Sequence, residues 1–292
     1  MKRIANLIII IAGLIALCPL HGDAASKLSV YVSILPQKYF VQQICKDLAD
    51  VQVMVPPGAS PATYEPKPRQ MAAISKVRIY FSIGVPFEKT WLKKIADLNP
   101  NMEVVPTDRG IEKLPMAVHH HREDATQSEH GTLDPHIWLS PPLVMIQARR
   151  ILEGLQAVDP AHRLVYESNF RAFMSQLSDL DAELRGIFTG SAGRQFMAFH
   201  PSWGYFAQAY GLKQLPIEIE GKEPKPAHLR ELIEHARGDG IQAVFVQPQF
   251  SARSAKLIAG EIGAQVVIAD PLAEDWAENL RAVARQFQSA LK

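Results

Sequence analysis

Residues 159–190 read DPAHRLVYESNFRAFMSQLSDLDAELRGIFTG, and this stretch decides how the rest of the chain is organised. Asp159 and Pro160 are typical of a helix start, and Gly190 is typical of a stop. Apolar residues recur between them at alternating steps of four and three positions, which places them on one helix face. They are Tyr166, Phe170, Phe173, Leu177, Leu180, Leu184 and Ile187. The pattern predicts a connecting segment over 159–189, whose helix of about 29 residues would be about 43 Å long.

Short runs of β-branched and aromatic residues lie on both sides of this helix and predict strands. Those before it are LSVYVSILP (28–36), VQVMV (51–55), RIYFSIG (78–84) and MEVVP (102–106); those after it are QFMAF (195–199), QAVFV (242–246) and QVVIA (265–269). Helical patterns alternate with them, including 37–48, 226–237, 252–262 and 275–290. This alternation indicates parallel sheets with covered faces.

We therefore predict an α/β fold of two Rossmann-like α/β lobes, residues 25–158 and 190–292, joined by one long rigid helix at 159–189. A coiled-coil dimer seam is the competing interpretation of the apolar stripe. We favour a rod packed across both lobes, because the stripe ends after about four heptads between two α/β units.

Composition excludes several classes of function. The chain has 292 residues, of which 47% are hydrophobic and 21% charged, as in ordinary globular proteins. The 31 Lys and Arg residues nearly balance the 30 acids, so the formal net charge is +1. The chain lacks the electrostatic character of a nucleic-acid-binding protein or of one that binds an anionic membrane surface.

The N-terminus has the features of an export signal. Lys2 and Arg3 precede an apolar run at 7–17, which is too short to span a membrane and fits the hydrophobic part of a secretory leader. Gly22 and Ala24 supply small residues for cleavage, so residues 1–24 are predicted to be a signal peptide.

The two cysteines add little chemistry. Cys18 lies within the leader, and we do not expect it to carry a lipid, because Leu17 stands where such processing needs a small residue. Cys45 is then the one cysteine of the mature chain and lies in an apolar pattern, so we expect a small core residue.

A histidine-rich segment is the first candidate for metal chemistry. The loop at 117–133 contains HHHREDATQSEHG (119–131) and has no apolar periodicity. Its imidazoles are His119, His120, His121 and His130. Tracts of this kind bind metals, although a merely polar loop is the alternative.

Three further residues stand where an α/β protein binds ligands. His136 ends the loop that precedes a helix predicted to begin at Ser140-Pro141. His200 and Asp270 each follow a predicted strand, at the edge where open α/β sheets bind ligands. Alone, either histidine could be structural and Asp270 could cap the helix after Pro271. Together, two imidazoles and a carboxylate suit a divalent transition metal.

Six segments resemble the solute-binding proteins of zinc and manganese ABC transporters, over about 28–292. They are PPGASPATYEPKP (56–68), DPHIWLSP (134–141), FHPSWGYFAQAYGL (199–212), IEIEGKEPKP (217–226), VFVQPQFS (244–251) and DPLAEDWAENL (270–280). The resemblance implies a monomeric periplasmic receptor, not an enzyme, that delivers a metal ion to the membrane permease of an ABC importer. It also implies two α/β lobes joined by a long helix, with the metal between them.

The resemblance assigns His136, His200 and Asp270 as metal ligands. Manganese-binding members tend to carry a carboxylate at the position of His200, so the histidine favours Zn²⁺, with Mn²⁺ as the other candidate. One position departs from the family: Ala62 of SPATYEP stands where a ligand histidine is expected. We expect water as the remaining ligand; a histidine of the 119–130 segment and Glu65 are the alternatives.

Two other functions remain open from the sequence. Two histidines, one aspartate and an open position resemble a catalytic zinc, but the chain has no HExxH motif and no assignable general base. A surface adhesin, or a receptor that has lost its metal site, is the second alternative, and Ala62 favours it somewhat.

Overall fold

A computed structural model describes residues 27–117, 132–218 and 221–290. Its first lobe is built on a parallel sheet with the strand order β2-β1-β3-β4. The strands are β1 Leu28–Val32, β2 Ala49–Val53, β3 Ile79–Ser82 and β4 Glu103–Pro106. The helices of this lobe are α1 Leu35–Cys45, α2 Pro68–Ala73, α3 Pro86–Leu98 and α4 Pro141–Val158.

The second lobe repeats this plan, with a parallel sheet in the order β6-β5-β7-β8. Its strands are β5 Gln195–Ala198, β6 Lys213–Pro216, β7 Ala243–Val246 and β8 Gln265–Ile268. Its helices are α6 Gly204–Ala209, α7 Pro226–Gly238, α8 Arg253–Ile262 and α9 Trp276–Ala290. The predicted two-lobe α/β fold is confirmed.

The long helix, α5, runs over Arg163–Ile187 for 25 residues, about 37 Å at the α-helical rise. Its apolar stripe is buried except for the partly buried Ile187, and it packs against α1 and α4 of the first lobe and α9 of the second. Because the stripe is buried against helices of the same chain, it does not form a coiled-coil seam. Gly190 lies three residues beyond the end of α5 and has a φ of 80°, a conformation that favours glycine.

The boundaries of two predicted elements need correction, and one strand was missed. Strand β1 ends at Val32 rather than residue 36, because Pro36 lies in the first turn of α1, where a proline stabilises a helix start. Residues 160–162 form a separate short 3-10 turn ahead of α5. Strand β6 was not predicted, since KQLP is only four residues long and half polar.

The lobes are joined by reciprocal indole hydrogen bonds. Trp138 Nε1 donates to the carbonyl of Pro271 at 2.7 Å, and Trp276 Nε1 donates to the carbonyl of Trp138 at 2.7 Å. Both indoles are fully buried. The Tyr205 hydroxyl adds a 2.9 Å bond to the carbonyl of Asp134. These bonds fix the facing walls of the interlobe cleft at their base.

Cys45 is completely buried, and burial raises the pKa of its thiol to about 12, which confirms the small core residue. The predicted leader at 1–24, with Cys18, and the histidines of 119–130 lie outside the described residues. Within the described ranges, no helix combines the length and apolar character needed to cross a bilayer.

Candidate metal centre

His136 belongs to the first lobe, and its ring is held in place by Asp134, two positions before it. It lies in the loop that precedes α4 and a short 3-10 turn at Ile137–Leu139. Asp134 Oδ1 accepts the backbone N–H of His136 at 2.9 Å and lies 2.6 Å from its ring Nδ1. The carboxylate therefore fixes the ring and holds the proton on Nδ1, which leaves Nε2 as a lone-pair donor.

His200 is held in the same way from the second lobe. It follows the end of β5, and its ring Nδ1 lies 2.7 Å from Glu218 Oε1. The Gln247 side chain binds both the N–H and the carbonyl of His200, at 3.2 and 2.6 Å. Phe250 stacks on the imidazole with ring centroids 4.9 Å apart. Its Nε2 is again left as a lone-pair donor.

The Nε2 atoms of His136 and His200 face each other across the cleft, 3.3 Å apart. Two nitrogens that each lie about 2.0–2.1 Å from a tetrahedral zinc ion are about 3.3 to 3.4 Å apart. The observed separation is therefore the one that a shared tetrahedral cation requires. Without a cation, whether a proton or a metal ion, two lone pairs at this distance repel each other.

The surroundings of the first imidazole favour its neutral form. His136 is 7% exposed, and this burial lowers its pKa, although the adjacent Asp134 carboxylate opposes the effect. A neutral imidazole is the form that binds a metal. Glu218 is 8% exposed, and its Oε2 has no hydrogen-bond partner in the described part of the chain. Its buried negative charge favours a cation nearby.

A cavity of about 60 Å³ contains the imidazole pair. Ala62 lines this cavity together with both histidines, as do Met116 and Gln249. The alanine that departs from the family pattern therefore lies on the wall of the same space. The volume suffices for a metal ion and a small number of water molecules.

Asp270 lies beside this space, not with the histidines. It lines a second cavity of about 190 Å³, where its Oδ1 accepts from Gln249 Nε2 and from the backbone N–H of Leu272, each at 2.9 Å. Among the described residues, no group of three or more His, Cys, Asp or Glu side chains is arranged to hold a metal ion. Asp270 does not cap the next helix, which begins only at Trp276. Glu65 is exposed and does not line the cavity of the histidines.

The residues of this centre that were missed from the sequence include Asp134, Glu218 and Gln249. Each lies in a segment that carried the family resemblance, and Asp134 is only two positions from His136. An acid next to a candidate ligand histidine is a usable signal, because ligating histidines almost always donate their other ring N–H. Glu218 and Gln249 gave no such signal, since only the fold brings them close.

The fold has two α/β lobes joined by a rigid helix, and its interlobe cleft contains two imidazoles that carboxylates support. These features define a solute-binding protein of the metal-receptor type. The chain matches the family described as zinc-uptake complex component A, periplasmic (ZnuA), over residues 30–290, and it belongs to that family.

Relatives agree with this assignment. The chain is 30% identical over 260 residues to the high-affinity zinc uptake system protein ZnuA of Bacillus subtilis, covering 86% of this chain and 81% of the relative. A crystal structure of ZnuA is 44% identical, with a TM-score of 0.84, covering 91% of this chain and all of the other. The laminin-binding protein Lmb of Streptococcus agalactiae, described as bifunctional with adhesin and metal-transporting activity, is 25% identical with a TM-score of 0.78, covering 91% and 100%.

Proposed function

We propose that this protein is a periplasmic receptor that binds one Zn²⁺ ion between its lobes and delivers it to the membrane permease of an ABC importer. The observation that carries the proposal is the 3.3 Å separation of the two imidazole Nε2 atoms, one from each lobe. Both nitrogens are oriented by buried carboxylates, an arrangement that also raises their basicity toward a metal.

The proposed ligands are His136, His200 and Asp270, with water as the fourth. Two nitrogen ligands favour zinc over hard, oxygen-preferring cations such as magnesium and calcium. Manganese is the weaker candidate, because it prefers oxygen ligands. Asp270 joins the two histidines only after it leaves its present hydrogen bonds in the neighbouring cavity.

The same geometry supports binding rather than catalysis. A catalytic zinc needs a general base directed at the metal-bound water. The carboxylates that contact the two imidazoles, Asp134 and Glu218, each accept a ring N–H. They are thereby engaged in holding the ligands, and we propose that the protein is not an enzyme.

Metal analysis of the purified protein and a zinc titration against a competing chelator test the proposal. His136→Ala and His200→Ala should each weaken zinc binding by orders of magnitude, because each removes one of few protein ligands. His235→Ala is the matched control, since His235 is exposed on α7 and does not line the cavity. Unchanged zinc affinity in both cavity variants would refute the proposed site.

Delivery is tested separately, by zinc uptake in cells that contain the permease but lack this receptor. Wild-type protein should restore uptake and His200→Ala should not. Zinc binding without restored uptake would leave a metal-binding protein with another role. A parallel hydrolase screen should be negative, and zinc-dependent turnover would overturn the assignment as a receptor.

A further inference from the structure

The first turn of α6, a helix of the second lobe, contacts the first-lobe segment that carries His136. The Tyr205 hydroxyl accepts the N–H of Leu114 and donates to the carbonyl of Asp134, each at 2.9 Å. The N–H of Asp134 donates in turn to the carbonyl of Leu114 at 2.8 Å. The backbone of Asp134 is therefore fixed by groups of both lobes.

Gly204, the residue before Tyr205, lies against the carboxylate of Asp134. A Cβ atom at position 204 would lie 2.9 Å from Asp134 Oδ2, closer than real Cβ atoms come to a neighbour. The next atom, Gln214 Nε2, would be 3.8 Å away, which is an ordinary van der Waals contact. Any side chain at position 204 would therefore meet the Asp134 carboxylate first.

The carboxylate has little freedom to move away. Asp134 is 2% exposed, and its Oδ1 accepts the N–H of His136 at 2.9 Å and lies 2.6 Å from the ring Nδ1. The start of α6 is also anchored, since the Trp203 N–H donates to Gln214 Oε1 at 2.7 Å. Rotating one carboxylate disturbs fewer contacts than moving a buried helix. We therefore expect a side chain at 204 to displace Asp134, and the support of His136 with it.

The backbone at position 204 does not itself require glycine. Gly204 is the first residue of α6 and does not have a positive φ, so alanine would fit the local conformation and is the better helix former. The contact with the Asp134 carboxylate is the constraint that the structure shows at this position.

We propose that Gly204 is a positioning residue of the metal centre. Its missing side chain allows the second lobe to hold the Asp134 carboxylate where it orients His136, a ligand of the first lobe. This inference rests on the proposed zinc function. It adds no ligand to His136, His200 and Asp270, and makes the orientation of one ligand depend on a contact between the lobes.

Zinc titrations of wild type, Gly204→Ala, Asp134→Ala and the double variant against a competing chelator test the contact. Gly204→Ala should raise the Kd about tenfold, the lower end of the loss expected when the support of a ligating histidine is disturbed. In the Asp134→Ala background it should cause no further loss, because the opposing oxygen is gone. Gly260→Ala on α8 is the matched control, since Gly260 has no positive φ and its added Cβ would meet no atom within 4 Å.

Proton NMR of the zinc-loaded protein separates positioning from a general loss of stability. The Nδ1–H groups of His136 and His200 are each held by a carboxylate, so one signal serves as the reference for the other. Gly204→Ala should shift the signal of His136 and leave that of His200 in place. Shifts of both signals, or of neither, would overturn the proposal.

The titrations can overturn the proposal in two further ways. An unchanged Kd in Gly204→Ala would mean that the contact does not govern the ligand, and equal losses in both backgrounds would mean that Gly204 acts apart from Asp134. If Gly204→Ala does not fold, the double variant should fold again, and its failure to do so would count against the contact. Unchanged zinc binding in His200→Ala refutes the proposed site itself, whereas a loss there without any effect of Gly204→Ala refutes only the positioning role.

Discussion

Replacing Ala62 with histidine should convert the centre into a tighter zinc site. Ala62 lines the same cavity as the two imidazoles and has no donor atom in its side chain. It lies in an exposed turn whose backbone is held by a 3.3 Å bond from the Ala62 N–H to Ser60 Oγ. The exposed turn leaves room for an imidazole, which would add a third nitrogen beside His136 and His200.

The gain follows from the strength of a complete zinc site. Structural zinc sites with four protein ligands bind with about 10–16 kcal/mol, or about 2.5–4 kcal/mol per ligand. Ordering one exposed side chain costs about 1 kcal/mol. The net gain of about 1.5–3 kcal/mol corresponds to a Kd about 10- to 150-fold lower.

A competition titration with a fluorescent zinc chelator measures this change directly. Thr63→His is the matched control, because Thr63 is the exposed neighbour of Ala62 and does not line the cavity. If Ala62→His and wild type bind zinc with the same Kd, the Ala62 side chain does not face the metal. The family's first ligand position would then have been transferred to the wrong residue.

Four further predictions follow from the same structure. Glu218→Gln should lower zinc affinity about 10- to 100-fold, because Glu218 supports the ligand His200. The control Glu261→Gln, at an exposed position on α8, should leave zinc affinity unchanged, and equal losses in the two variants would contradict this prediction. Deleting 119–130 should leave zinc affinity unchanged if water is the fourth ligand, and a tenfold loss would assign a ligand to that segment. Metal-free and zinc-bound protein should give nearly the same X-ray scattering profile, because α5 is continuous over Arg163–Ile187; a large compaction would count against a rigid connector. Burial raises the pKa of Glu88 to about 7 from about 4.5, so the stability it contributes is lost as the pH rises through that interval. In urea unfolding, Glu88→Gln should therefore gain up to about 3 kcal/mol over wild type by pH 7, and parallel curves for the two proteins would refute this.

Long periodic patterns and strand-end positions were readable from the sequence because each depends on local spacing. The stripe from Tyr166 to Leu184 needs only helical periodicity, and it is buried as predicted. The positions of His200 and Asp270 need only a strand before each residue. Strand β6 was not readable, since KQLP acquires its strand conformation by pairing with β5, which no local pattern records.

The contacts between residues of the metal centre could not be predicted from local sequence, because they join residues that are far apart in the chain. Glu218 lies 18 positions from His200, and Gln249 lies 21 positions from Asp270, yet each pair is within hydrogen-bond distance. Such pairs form because parallel strands bring their carboxyl ends to one edge, whatever the chain length between them. The sequence indicates which residue types are available there, and only the sheet order shows which of them meet.

The distance between the two imidazoles also bears on how so few ligands can bind a metal. The Nε2 atoms of His136 and His200 lie 3.3 Å apart, which is the separation of two nitrogen ligands of a tetrahedral zinc ion. The paired indoles of Trp138 and Trp276 fix the walls on which the two rings stand. Rings that are held by carboxylates lose little side-chain freedom when they bind a metal, and such preorganisation raises affinity without further contacts. The same rigidity means that release of the ion must come from a change of the ligands themselves. Asp270 is the proposed ligand that has another position beside the cavity, where its Oδ1 accepts two hydrogen bonds.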